Sequence, residues 1–159
     1  MMNEFVGKKL GEILAFNRVG IDTYEKGRAA LVEILGEEKV KDIEERDRMH
    51  GDSIVQIATE GGVIDITNTK AAATEEKLKK MRDLYVADQW DNATELMEWS
   101  GFFEGAAIVH YALMQGSSQA LDNDALATLT EEGINYHYEM LEMAEGHLEK
   151  IGQDKASAA

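Results

Sequence analysis

The chain carries an internal repeat offset by 87 residues, and this constrains its fold more than any other feature. Asn17, Tyr24, Asp47 and His50 follow one another at steps of 7, 23 and 3. Glu104, Tyr111, Ile134 and His137 follow at the same steps. Phe16 corresponds to Phe103, Ile21 to Ile108, and Glu44-Glu45 to Glu131-Glu132. Each half therefore reads as a long helix, a short turn and a second helix with a marked pair three positions apart. Four helices so arranged can aim polar groups at one internal point.

Composition narrows the class. With 159 residues the chain is long enough for one domain with a real core, and it contains no proline, as suits long uninterrupted helices. Its formal net charge of −15 argues against nucleic acid and anionic membranes as partners. There is no cysteine, so disulfides, iron–sulfur clusters and cysteine-built zinc sites are excluded. Met1–Leu14 carries Glu4, Lys8, Lys9 and Glu12 and does not read as a signal peptide, and no run is long and apolar enough for a membrane span. The simplest expectation is a cytoplasmic protein.

Apolar periodicity predicts four helices. The first spans about Asn3 to Leu35, with Leu10, Leu14, Ile21, Tyr24, Leu31 and Leu35 on one face and Gly36 as its stop. The second spans about Glu38 to Glu60, with the seam Val40, Ile43, Asp47, His50, Ile54 and Ile57, and ends at Gly61-Gly62. The β-branched Val63–Thr67 and the stretch to Thr74, an N-cap candidate, read as a connection. A third helical region runs from about Glu75 to Gln115, with a bend or break near Asp88–Asn92, and Gly116-Ser117-Ser118 closes it. The fourth runs from about Asp124 to Ile151, capped by Gly152. This places a single domain at residues 1–152 and a polar tail at 153–159. A connection of about 14 residues reaches roughly 46 Å, and a helix of about 22 residues spans roughly 33 Å. Both a simple up-and-down bundle and one with a long crossover remain open.

Asp47 and His50 interrupt an aliphatic seam. A buried carboxylate without a partner costs several kcal/mol, so Asp47 needs one. Residues i and i+3 share a helical face, and a carboxylate with an imidazole so placed can hold a metal or pair with each other. His137 takes the equivalent place in the second half. Glu104 lies on the stripe of Ile108 and Tyr111, and Asn17 on the seam of Leu10, Leu14, Ile21 and Tyr24. This oxygen and nitrogen set suits iron, manganese or zinc.

These residues resemble the ferritin-like superfamily, in its rubrerythrin-like branch. Phe103-Glu104 through Tyr111 is similar to that family's third-helix signature, and His137-Tyr138-Glu139-Met140-Leu141 to its fourth. Ala15-Phe16-Asn17 through Lys26 is similar to the first, and Asp47-Arg48-Met49-His50 to the second. The resemblance implies an all-α, ferritin-like four-helix bundle of two antiparallel pairs joined by a longer middle connection. It also implies metal ligands at Asp47, His50, Glu104, His137 and Asn17, with Tyr24 and Tyr111 hydrogen-bonding around them. The family uses four glutamates and two histidines for two ions. Here Asn17, Asp47 and Ile134 stand where three of those glutamates would be, which leaves a donor set for one ion rather than two, or for none.

Two readings of function stay open. One is a metal-binding protein that handles oxygen or peroxide as an oxidoreductase and releases its ion as the histidines protonate. The other is a bundle that has lost its metal chemistry and serves as a protein-binding or assembly module, with a homodimer as the expected oligomer. Glu25, His147 and the acidic run Glu139, Glu142 and Glu145 read as surface or boundary groups, and His110 as a filler. Trp90, Trp99, Phe102 and Phe103 read as helix packing or an oligomer interface.

Overall fold

The computed structural model describes residues 1–158, which form six helices and no strand. These are α1 (Glu4–Lys26), α2 (Arg28–Leu35), α3 (Glu37–Glu60), α4 (Ile64–Val86), α5 (Ala93–Leu121) and α6 (Asp124–Ser157). Asn3, Asn92 and Asn123 cap α1, α5 and α6, each side-chain oxygen accepting from a backbone N–H of the first turn. Gly36, at φ 84°, makes the tight turn into α3 with a backbone conformation that other residues adopt only under strain.

Contacts fix the helix directions. Met2 N–H donates to Gly61 O and Arg28 pairs with Glu44, so α3 returns along α1. Phe16 stacks with Phe103, and the site of a Gly27 Cβ abuts Leu96, so α5 is antiparallel to α1. Arg46 binds Glu139 in α6 while Glu60 and Ala125 line one cleft, which makes α6 antiparallel to α3. The α1–α3, α3–α6, α6–α5 and α5–α1 contacts close a ring of four helices.

The middle of the chain departs from expectation. Residues 64–86 are one helix, so the predicted connection at 63–74 is helical and Thr74 lies inside α4 rather than at its cap. This helix runs parallel to α1: Arg18 faces Glu75, Asp22 faces Lys79 and Lys26 faces Asp83. It is therefore the crossover, carried along the outside of the ring as a helix. Tertiary packing overrides the β-branched preference of Val63–Thr67. A Cβ at Gly11 would lie 2.5 Å from Thr67 O, and Thr67 Oγ1 donates to Gly7 O at 3.0 Å. Only glycines on α1 let the two backbones approach this closely.

Other boundaries also move. The expected first helix divides at Gly27 into α1 and α2, and the expected break near Asp88–Asn92 is present as the turn between α4 and α5. Gly116-Ser117-Ser118 lies inside α5 and Gly152 inside α6, which continues to Ser157. Nothing crowds either glycine, and an isolated glycine lowers helix propensity by only about 1 kcal/mol.

Two apolar cores lie along the bundle. One gathers Phe16, Val19, Leu31, Ile43, Leu96, Trp99, Phe103, Tyr136 and Met140. The other gathers Leu10, Leu14, Ile54, Ile57, Tyr111, Met114, Leu126 and Leu129, with Ile134 packed against it.

Candidate functional site

Each helix of the ring carries a buried polar residue close to where it passes from one core to the other. On α1, Asn17 lies between Leu14 and Val19; on α3, Asp47 lies between Ile43 and Ile54. On α5, Glu104 lies between Phe103 and Tyr111; on α6, His137 lies between Ile134 and Met140. All four are buried, at 1%, 4%, 7% and 1% exposure. The predicted Asn17, Asp47, Glu104 and His137 thus share one level of the bundle interior. Tyr24 and Tyr111 are buried beside them, and His50 is half-buried at the edge.

His137 and Glu104 form the tightest contact of the group, with Nδ1 2.5 Å from Glu104 Oε2. With the carboxylate accepting, Nδ1 donates, which leaves Nε2 as the free ring nitrogen. That nitrogen is buried with no hydrogen-bond partner. Asn17 Nδ2 donates to Ile13 O at 3.0 Å and to Tyr111 Oη at 3.3 Å, which leaves Asn17 Oδ1 buried and unpartnered. His50 Nδ1 is the third buried polar atom in this state. Buried polar groups are satisfied in the great majority of cases, so three such atoms in one region make it the candidate place for a bound ion or water.

Electrostatics agree. Burial, and then the charge of Glu104, push the Asp47 carboxyl well above its usual range, against the weaker pull of Tyr136, Arg46 and Arg48. Burial, and then His137 and Arg46, hold His50 down to about 4, so it is neutral at neutral pH. Burial raises the Tyr24, Tyr111 and Tyr136 hydroxyls, with Asp47 and Glu104 adding to it. All three phenols remain protonated donors.

Sequence reasoning missed Tyr136. Its ring stands edge-on to His50 at 5.2 Å and to His137 at 5.1 Å, and Arg46 lies 4.6 Å above it. Its hydroxyl is 3.5 Å from Ile43 O, a long contact, and acts on Asp47. The signal was available: Tyr136 continues the buried face of Leu129, Gly133 and Met140. Two glycines were missed as well. A Cβ at Gly20 would sit 2.8 Å from Asp47 Oδ2, and one at Gly133 would overlap the Tyr111 ring. An isolated glycine inside a helix is the sequence mark of such a close approach.

Two surface clefts reach the cluster. One, of about 400 Å³ between α3 and α6, is lined by His50 and Tyr136 together with Arg46, Ser53, Asn135 and Glu139. The other, of about 220 Å³ between α1 and α3, is lined by Asn17 and Asp47. The remaining candidates fall outside. Glu25 is exposed and faces Arg48 at 3.7 Å. His110 stacks on Phe16, with Nδ1 2.7 Å from Ala106 O. Glu139 pairs with Arg46 and Lys39, and Trp99 and Phe103 are core while Phe102 is exposed.

The donor set brings two imidazoles, an amide oxygen and a carboxyl into a partly apolar shell, a chemistry that suits a metal ion. The Glu104–His137 pair matches the way carboxylates orient ligating histidines. Yet among the described residues no three His, Asp or Glu side chains are grouped so as to hold an ion. An ion here would have to draw on fewer than three of these side chains, with Asn17 or water completing its shell.

Comparison with known proteins adds no relative: no family model, no curated protein and no solved structure matches this chain.

Proposed function

We propose that this chain is a ferritin-like bundle that binds one first-row divalent metal ion at the buried cluster. The observation that carries the reading is the set of three unpartnered buried atoms, Asn17 Oδ1, His50 Nδ1 and His137 Nε2, beside the Asp47 and Glu104 carboxyls. The ring of four helices with one crossover supports the ferritin-like reading. The ion would take no more than two of Asp47, His50 and His137 at once, with Asn17 Oδ1 and water completing its shell. Glu104 takes the role of orienting His137 rather than binding directly.

Iron or manganese would supply redox chemistry toward oxygen or peroxide, and zinc only Lewis acidity. The chain itself contributes a neutral His50, phenol donors at Tyr24, Tyr111 and Tyr136, and a largely buried setting in which these dipoles act strongly. It also provides the α3–α6 cleft as a path for a small substrate.

Thermal unfolding in the presence of iron(II), manganese(II) or zinc(II) tests this. An ion that binds only the native state at 100 times its Kd adds about 2.7 kcal/mol. We expect that stabilisation in the native chain and its loss in the double variant His50→Ala/His137→Ala. Identical melting of native chain with and without each ion contradicts the reading.

One observation favours a second reading. The lack of a three-residue His, Asp and Glu grouping is what a bundle retired from metal chemistry and kept as a binding or assembly module would have. It predicts no response to any of the three ions.

A further inference from the structure

Helix α5 is apolar on both faces. Its inner face carries Glu104, Tyr111 and the core residues. Directly opposite runs a second stripe, Phe102, Ala106, Val109, Leu113, Gly116 and Ala120, at steps of three and four. Phe102, Val109 and Leu113 are 63%, 62% and 42% exposed. Between Glu98 and Asp122 the only charged side chain on α5 is the buried Glu104. In a chain with 30% charged residues, a neutral exposed stripe about 27 Å long is a marked exception. It continues at Phe102 into an apolar groove of about 390 Å³ formed with Met81, Leu84 and Tyr85 of α4.

From this stripe we infer that α5 is the interface for a second copy of the chain, packed antiparallel about a two-fold axis near Val109. Self-complementarity supports that occupant. An antiparallel pairing centred on Val109 sets each residue opposite the one equally far along the other way. Phe102 then lies over Gly116, and Leu113 over Gly105. Both glycines have open space where a side chain would be. Bulk at one end of the stripe thus meets a gap at the other, which is what an isologous interface requires.

Charge points the same way. Two copies, each at −15, repel one another across most of their surfaces, and a charge-free face lowers that penalty. A basic partner would gain nothing from a stripe with no acidic groups on it. The footprint is modest: one helix of roughly 10 Å diameter over about 27 Å, plus the groove. At about 270 Å² per copy before the groove is counted, that falls below the roughly 1,200 Å² total of stable specific interfaces and into the weak, transient class, so the dimer should dissociate on dilution. The inference does not depend on the metal reading.

The chain has no cysteine, so one introduced thiol reports a contact unambiguously. Under mild oxidation Val109→Cys should form a disulfide-linked dimer rapidly, whereas Thr128→Cys, exposed on α6, should not. Light scattering on the native chain should give twice the monomer mass at high concentration and the monomer mass on dilution. Val109→Glu should be monomeric throughout with unchanged helicity. A native chain that is monomeric at every concentration, with both cysteine variants linking at the same slow rate, overturns the proposal. So would protection of Val109→Cys from thiol labelling by neutral phospholipid vesicles but not by a second copy.

Discussion

Two buried polar clusters sit on α1, and they follow opposite rules. At its C-terminal end, Arg82 of α4 is 1% exposed and is paired through both Nη1 and Nε. Its Nη1 donates to Asp22 at 2.5 Å and to Thr23 Oγ1 at 3.0 Å, its Nε donates to Asp83 at 2.9 Å, and its guanidinium lies 5.0 Å from the Trp90 ring. One helical turn or so away, the Asn17–Asp47–His137 cluster keeps three atoms with no partner. A buried group kept for stability is paired, as Arg82 is. A cluster left unsaturated at a cost in stability is the better place to look for function.

The largest test of that contrast is Arg82→Leu. It leaves Asp22 with Lys79 alone and removes charged hydrogen bonds to partly exposed carboxylates, a loss of up to about 3 kcal/mol. Urea unfolding should show it, and a loss below about 1 kcal/mol would make the Arg82 cluster ordinary surface chemistry. Next comes Gly133→Ala, whose methyl must displace the Tyr111 ring. The expected loss is about 1–3 kcal/mol, together with a changed near-UV tyrosine signal.

Asp47→Asn should act in the other direction. The carboxyl of Asp47 titrates above the unfolded value of 3.8, so the folded chain binds the extra proton and stability falls as pH rises through that interval. The amide removes this term. The variant should gain on the order of 1 kcal/mol relative to the native chain, the cost of one poorly satisfied buried group, with the gain growing as pH rises. An equal loss at every pH would contradict it.

The smallest effect is at Asp22. Burial raises its carboxyl, but Arg82 and Lys79 together outweigh this and bring it below 3.8. Its contribution is complete above that value and disappears as pH falls through the folded one. Asp22→Asn should therefore flatten the acid limb of the stability curve by a few tenths of a kcal/mol, with Asp22 screened by partial exposure.

Much of this was legible in the sequence, because heptad-like seams and an 87-residue repeat report which face of a helix is buried. The level shared by Asn17, Asp47, Glu104 and His137 followed from the repeat alone. The crossover helix did not. Val63-Ile64-Asp65-Ile66-Thr67 favours extended backbone locally, and only Gly7 and Gly11, some 55 residues earlier in the chain, reveal that a helix packs there. Arg82 was missed for a related reason: a lone arginine on a lysine-rich helix reads as surface until Asp22, Thr23 and Trp90 are seen around it. Tyr136 was hidden beside the more conspicuous His137.

The central claim is that the unsaturated cluster exists to hold an ion. Elemental analysis of protein purified without a tag or chelator measures it directly. The account predicts close to one equivalent of iron, manganese or zinc per chain, abolished in His50→Ala/His137→Ala and retained in Arg82→Leu. Protein free of all three metals, or metal that persists in the double histidine variant, would contradict it.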